Sequence, residues 1–194
     1  MPLNRARAAA LMLGLSFVAG CSPVVAPTPT PSPTYQCVPE AGGDPLPCGP
    51  IEFEASQRRD ALYAEAEAVY RRLWAEMARV DSDPAPHMTT ELEAVTAGPY
   101  RETLEQLLVA MRGNQRLSGD SSLVWVRRLI GLERSGSVVA LNVCTDDRQA
   151  LFANPAGGEP LQGRAVDRRV YLARADGVGP LRIVDSEFAR VESC

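Results

Sequence analysis

The sequence predicts an α+β domain in which three helices come first and pack on one face of an antiparallel sheet of about five strands. Between residues 54 and 111, apolar residues recur at intervals of three and four, as they do along one face of a helix. From Ser122 onwards they alternate instead, in short segments separated by turn residues. Helices and strands that are segregated along a chain are typical of the α+β class.

The helical part divides into one long, one short and one medium helix. The first predicted helix begins near Glu54, and the segment DSDPAP ends it. Thr90 and Glu93 fit a capping box for a short second helix that ends at Gly98, and Pro99 suits the first position of the third. The apolar stripe of the first helix is Leu62, Ala66, Val69, Leu73, Met77 and Val80, and that of the third is Tyr100, Leu104, Leu107, Leu108 and Met111.

The remaining residues predict the strands. Ser135 and Gly136 indicate a tight hairpin between the first two strands, and the segments NPAGGEP and DGVGP indicate later turns. The predicted strands are Leu123 to Arg134, residues 137–145, the short segment QALFA, Arg164 to Arg174, and Leu181 to Val191.

The first twenty residues have the pattern of a secretory signal peptide. Arg5 and Arg7 precede an apolar run from Ala8 to Ala19, which at about 12 residues is too short to span ~30 Å of hydrocarbon. The run ends in VAGC, and small residues before a cysteine resemble the lipobox of bacterial lipoprotein signal peptides. This resemblance implies cleavage before Cys21 and its modification by acyl chains such as palmitate. The alternative is an ordinary signal peptide with an incidental cysteine.

Three regions follow from this pattern: a signal peptide at 1–20, a lipidated Cys21 with a proline-rich tether at 21–51, and the α+β domain at 52–194. Nine prolines lie between Ser22 and Pro50. Such a segment favours extended polyproline II, which would reach roughly 90 Å at ~3.1 Å per residue. We expect a spacer that holds the domain away from the membrane. The alternative is a recognition segment for a proline-binding partner.

Four cysteines remain after Cys21, an even number that is typical of an oxidising compartment. Three connectivities are possible. Pairing Cys37 with Cys48 and Cys144 with Cys194 is favoured because each bridge then stays within one structural unit. The sequence has no Cys-x-x-Cys or His-Cys cluster, which disfavours zinc.

Charge and composition exclude several classes of function. The chain has no lysine, which removes Schiff-base chemistry, and loss of Arg5 and Arg7 would change the formal net charge from −4 to −6. An acidic protein is unsuited to nucleic acid. We expect no nucleic-acid partner, no cofactor and no metal, and a location at the extracytoplasmic face of the cell membrane.

The order of elements, with GPYRETLEQLL opening the third helix and VVALNVCTDDR and LRIVDSEFARVESC in the strands, resembles the nuclear transport factor two-like cone fold of actinobacterial secreted lipoproteins. The resemblance covers about residues 54–194. It implies a curved sheet and helices around a conical pocket, in a family that includes steroid isomerases, cyclases and dehydratases. The aromatic residues that could line such a pocket, or simply fill a core, are Tyr70, Trp74, Tyr100, Trp125, Tyr171 and Phe188.

Candidate catalytic groups are few. Isomerases of this fold use a buried carboxylate with a tyrosine. The candidate acids here are Asp167 and Asp185, and the candidate phenols are Tyr70, Tyr100 and Tyr171. None of these lies in a matching motif, and His87, the one histidine, lies between two predicted helices. Asp146 and Asp147 indicate a turn more than a calcium site. We therefore expect no catalytic residues.

The sequence thus predicts a lipid-anchored domain that binds a small apolar ligand or an envelope protein without catalysis. The first alternative is an isomerase-like or cyclase-like enzyme that uses a carboxylate and a tyrosine in the cone. The second is a structural domain that associates with a partner through its sheet face.

Replacement of Cys21 by alanine should move the protein from the membrane fraction to the medium, or leave it unprocessed, because two or more acyl chains hold a protein stably on a membrane. Fractionation of cells that express both forms measures this. Mass spectrometry of the native protein that finds an unmodified Cys21 inside a longer chain would contradict the prediction.

Overall fold

The computed structural model describes residues 34–131, 134 and 136–194. The predicted signal peptide, Cys21 and the first part of the predicted tether lie outside these residues. The helices are α1 (Pro50–Val80), α2 (Thr90–Val95) and α3 (Gly98–Ala110). The strands are β1 (Tyr35–Cys37), β2 (Leu46–Cys48), β3 (Arg116–Ser118), β4 (Ser122–Arg128), β5 (Val139–Asp146), β6 (Leu151–Phe152), β7 (Leu161–Gln162), β8 (Ala165–Arg174) and β9 (Leu181–Val191).

The α+β class stands, but the prediction of three helices on one sheet of about five strands is wrong. The described residues form nine strands in three antiparallel sheets: β1-β2, β3-β6-β7 and β4-β5-β8-β9. The segment QALFA contributes only the two-residue β6, which pairs with β3 and β7 instead of joining the main sheet. A tight turn after β5, closed by a hydrogen bond from Ala150 N to Asp147 O at 2.8 Å, leads the chain out of the main sheet.

Two local predictions are also wrong. The side chain that caps α2 belongs to Thr89, not Thr90: Leu92 N donates to Thr89 Oγ1 at 3.2 Å. Strand β4 ends at Arg128 rather than Arg134, so the connection to β5 is longer than a tight hairpin. Ser135, predicted in that hairpin, lies outside the described residues.

The core lies between the helices and one face of the main sheet, called here the inner face. Because side chains alternate along a strand, β5 presents Val139, Leu141 and Val143 to the helices. Strands β8 and β9 add further apolar side chains from the same face. The helical residues packed against them include Ala66, Val69, Leu73, Leu104 and Leu108, all 7% exposed or less.

Two polar contacts hold the helices in place on the sheet. Glu65 on α1 accepts two hydrogen bonds from the Arg174 guanidinium, at 3.0 and 2.5 Å, at the end of β8. The segment between α2 and α3 pairs with β9 through a parallel bridge from Thr96 to Ile183, where Ala97 N donates to Ile183 O at 2.9 Å. Helix α3 is thereby fixed at the edge of the sheet.

Both disulfides are present in the pairing that the sequence favoured, Cys37 with Cys48 and Cys144 with Cys194. They indicate an oxidising, extracytoplasmic location. The second bridge joins the last residue to β5 across a sequence separation of 50. Closing a loop of that length stabilises a fold by roughly 4 kcal/mol in the chain-entropy estimate.

The ribbon of β1 and β2 packs on the start of α1, although it lies in the segment assigned to the tether. The Tyr35 ring stacks on Phe53 with centroids 4.7 Å apart. Arg59 donates to the carbonyl of Val38 at 2.8 Å, and the Tyr63 hydroxyl donates to Glu40 at 2.9 Å. Within the described residues, no helix has both the length and the apolar character needed to cross a bilayer.

Candidate functional site

A cavity of about 280 Å³ lies between α1, α3 and the inner face of the main sheet. Most of its walls are apolar. Helix α1 contributes Leu73, Trp74 and Met77. Helix α3 contributes Leu104 and Leu107, followed by Met111 at its C-terminal end, and the strands contribute Phe152 and Val166. Its polar lining residues are Tyr70, Asp81, Tyr100, Asn114, Thr145, Asp147 and Arg168.

The cavity begins where the inner face of the sheet changes character. On β5, Val143 belongs to the apolar core, whereas Thr145 lines the cavity. On β8, Val170 and Leu172 belong to the core, whereas Val166 and Arg168 line the cavity. A space bounded by a sheet, two helices and a few polar groups is the usual form of a small-molecule site.

Asp81 is held at the cavity by its position after the last turn of α1. The Asp81 backbone N–H donates to Met77 O at 2.8 Å, and its carbonyl accepts from Arg116 N at 2.6 Å. Burial raises the pKa of Asp81 to about 6; the charge of Asp147 adds to this, and that of Arg116 opposes it. The carboxyl is thus poised to exchange a proton near neutral pH.

Asp147 reaches the same cavity from the tight turn after β5. That turn is compressed between two glycines: a Cβ on Gly163 would lie 2.1 Å from the Asp147 carbonyl oxygen, and one on Gly119 would lie 1.9 Å from that of Gln149. Burial raises the pKa of Asp147, and the charge of Asp146 adds to the effect. Its Oδ1 atom is buried and has no hydrogen-bond partner among the described residues.

Two buried phenols face these acids. Tyr70 and Tyr100 are 3% and 8% exposed. Burial raises the pKa of Tyr70 to about 12, with the positive charge of Arg168 opposing it, and burial also raises the pKa of Tyr100. Both hydroxyls stay protonated at neutral pH, so each can donate a hydrogen bond to a ligand.

The structure separates the six aromatic residues that were considered as pocket lining. Tyr70, Trp74 and Tyr100 line the cavity. Trp125 lies opposite Cys144 and donates to the Cys194 carbonyl at 3.3 Å, on the outer face of the sheet. Tyr171 is covered on that face by Arg134, whose guanidinium carbon lies 5.2 Å from the ring centroid. Phe188 is 68% exposed on β9.

The residues weighed as acids or bases from the sequence lie elsewhere. Asp167 accepts a hydrogen bond at 2.6 Å from the Asn142 amide in the orientation that satisfies both neighbours of Asn142. Asp185 accepts one from Arg134, also at 2.6 Å. The His87 side chain is 70% exposed and lies 3.8 Å from Asp83.

Sequence reasoning missed Asp81 and Arg168 as site residues and placed Asp147 in a turn in preference to a calcium site. The available signal was weak: an acid at the end of the apolar helical stripe, and a second acid at the end of a buried strand. Asp146 forms an ion pair with Arg148 at 2.6 Å and leaves Asp147 to face the cavity. No group of three or more metal-ligating side chains occurs in the described part of the chain.

Replacement of Asp81 by asparagine should flatten the pH dependence of folding stability between about pH 4 and 6. The pKa of about 6 in the folded protein exceeds the ordinary 3.8, so the folded state holds this proton more tightly. The contribution is complete below pH 4 and is lost as pH rises through 6, a change of about 2 to 3 kcal/mol. Asp81→Asn should therefore be the more stable protein at pH 7.

Urea unfolding of both proteins at intervals from pH 4 to 7.5 measures the difference in their free energies of unfolding. Groups that titrate alike in the two proteins contribute equally to both and cancel in this difference. The matched control is Asp44→Asn, at an exposed aspartate in the ribbon loop, which should leave the profile unchanged. Parallel profiles for wild type and Asp81→Asn would contradict the prediction.

No protein-family model matches this chain, and no curated protein matches it significantly. The resemblance to nuclear transport factor two-like lipoproteins therefore stays a prediction. The cavity and its polar groups are the features from which a function can be inferred.

Proposed function

We propose that the domain is a ligand-binding module of the cell envelope that takes a small, largely apolar molecule into the cavity between α1 and α3. The observation that carries this proposal is the combination of a preformed space with apolar and aromatic walls and a few polar groups at one side. Ligand sites of proteins have this composition. At about 280 Å³ the cavity is just below the usual range of roughly 300–1,000 Å³, which favours a compact ligand.

The polar side of the cavity favours a ligand that carries hydrogen-bonding atoms. Protonated Tyr70 and Tyr100 and the Arg168 guanidinium are donors, so they suit a carbonyl or another acceptor. Asp81 and Asp147, when ionised, suit a hydroxyl or amine donor. With two acids against Arg168, and with Arg116 beside Asp81, the charges nearly balance. A neutral body inside the cavity is therefore favoured over a charged one.

The proposed location is the outer surface of the cell membrane, through a lipid on Cys21. The apolar run ending in VAGC and the proline-rich segment support this, and the disulfides agree with an extracytoplasmic site. The membrane is then the first partner, and the tether presents the cavity to molecules within the envelope. An envelope-protein partner, kept open by the sequence, has less support because the cavity suits a small molecule.

Replacement of Val166 by phenylalanine should weaken ligand binding by about tenfold or more, because the larger side chain fills space that the ligand needs. The matched control is Val124→Phe, at a half-exposed valine on β4, in the same sheet but outside the cavity. The probes are neutral aromatic compounds of naphthol size, with 2-naphthol as the first.

The readout is the emission of Trp74 in the variant Trp125→Phe, where Trp74 is the sole tryptophan because the chain has two. Binding that is lost with Val166→Phe and kept with Val124→Phe supports the proposal. The absence of any Trp74 response to the probe set at millimolar concentration, or equal affinities for both variants, contradicts it.

A second candidate is an enzyme of the isomerase or cyclase type. The observation that favours it is the pKa of Asp81 of about 6, in a cavity that also holds two buried tyrosine hydroxyls. A carboxylate with a raised pKa can remove a proton next to a carbonyl, while a tyrosine or Arg168 stabilises the resulting oxyanion. The same cavity would then turn over a bound ketone rather than only hold it.

Exchange of ketone α-protons in deuterated water separates the two candidates. An enzyme should accelerate deuterium uptake by cyclohexanone and 2-tetralone, followed by proton NMR. Asp81→Asn should reduce that rate by about 100-fold or more because it removes the base, and Asp44→Asn should not change it. If a ketone binds but its α-protons exchange no faster than in buffer alone, the enzyme candidate is rejected and ligand binding remains the proposed function.

A further inference from the structure

A second concavity adjoins the cavity and differs from it in charge. It is an open groove of about 890 Å³ formed by β6, β7, the start of β8 and the end of β9. Phe152 and Asn114 line both the groove and the cavity, so the two spaces share a wall. We call it the arginine groove because Arg148, Arg164 and Arg190 line it, with Glu192 as the acidic lining residue.

Two of these arginines have guanidinium groups without a partner among the described residues. Arg148 is bound to Asp146 through hydrogen bonds of 2.9 and 2.6 Å and to the Glu192 carbonyl at 2.8 Å. Arg164 and Arg190, by contrast, make no ion pair or side-chain hydrogen bond with any described residue. Most other described arginines of this acidic protein are paired with acids or carbonyls, and among the unpaired ones Arg164 and Arg190 are those that line the groove.

The sheet register places this charge beside the cavity. Arg190 on β9 lies directly opposite Val166 on β8, and Val166 lines the cavity. Residues that oppose each other in this way have Cβ atoms about 4.5–5.5 Å apart and project from the same face. The same face of β8 and β9 therefore carries both Val166, in the apolar cavity, and the cationic Arg190 beside it.

We propose that the natural ligand is an amphipathic anion whose apolar body fills the cavity and whose carboxylate or phosphate head binds Arg164 and Arg190. This inference rests on the proposed ligand-binding function and names its ligand class. A guanidinium binds either anion through two parallel hydrogen bonds. The head stays at the solvent-exposed end, where an anion keeps much of its hydration, and the body occupies the space with apolar walls.

The same geometry explains why the head does not enter the cavity. Inside, an anion would lie near Asp81 and Asp147, whose charges already oppose those of Arg168 and Arg116. The groove itself is lined by one acid, Glu192, against the two unpaired arginines. Charge therefore orients the ligand with its head outward.

Binding of three probes with the same apolar chain tests the proposal: octanoate, octyl phosphate and 1-octanol. Each is titrated against the full chain carrying Trp125→Phe at low salt, with Trp74 emission as the readout. We expect both anions to bind about tenfold or more tightly than the alcohol, because charge-assisted hydrogen bonds are the stronger ones. The ratio of the affinities for octanoate and octyl phosphate then shows whether the head group is a carboxylate or a phosphate.

The variant Arg164→Gln with Arg190→Gln should remove the advantage of the anions and leave the octanol affinity unchanged. Because both side chains are exposed and unpaired, this change should not affect folding, which circular dichroism checks. The matched control is Arg58→Gln, at an exposed arginine on α1 whose side chain is 71% exposed. It should change none of the three affinities.

Three outcomes overturn the proposal in different ways. Equal affinities for the anions and octanol reject the anionic head and leave the ligand cavity intact. The absence of any Trp74 response to all three probes, together with failure of the neutral aromatic probes, rejects the ligand-binding function itself. Sedimentation with phosphatidylglycerol vesicles that depends on both arginines and is not competed by octanoate would reassign the groove to the membrane surface.

Discussion

The burial of one face of α1 against the inner face of the main sheet is the interaction on which the rest of the structure depends. Ala66 on the helix and Val143 on β5 are completely buried, and such contacts supply most of the stability of a domain this size. The ion pair between Glu65 and Arg174 fixes the helix along the strands. Beyond the apolar core the inner-face side chains become polar, so the same packing leaves the cavity open.

The polar groups of that cavity constrain one another. A buried carboxylate is unfavourable without a counter-charge, and the charge of Asp147 raises the free energy of ionising Asp81. Arg168 and Arg116 offset this in part. The result is a carboxyl group that changes charge close to neutral pH, at a position where a ligand would touch it. A group in this state couples ligand binding to protonation, whether or not it also catalyses a reaction.

The two faces of the main sheet differ in what they contact. The outer face is covered in two places by the chain itself: Arg134 lies over Tyr171 and pairs with Asp185 and Glu187, and the C-terminal cysteine is bonded to Cys144. These contacts reduce the surface available to a protein partner on that side. The inner face provides both the cavity and, past Val166, the way to the arginine groove. Function is therefore best sought on the inner face.

Local patterns in the sequence were enough to predict α1, α3, β8 and β9 to within a few residues and to favour the observed cysteine pairing. They did not decide whether Tyr70, Trp74 and Tyr100 line a pocket or fill a core. Helical and alternating periods depend on neighbours in the chain, which is why they can be read directly. The division into three sheets, the outward position of Trp125 and Tyr171, and the meeting of Asp81 with Asp147 were decided by the tertiary structure. Alternation shows which residues share a face but not which face meets the helices, and the burial that shifts a carboxyl pKa exists only after distant segments have packed together.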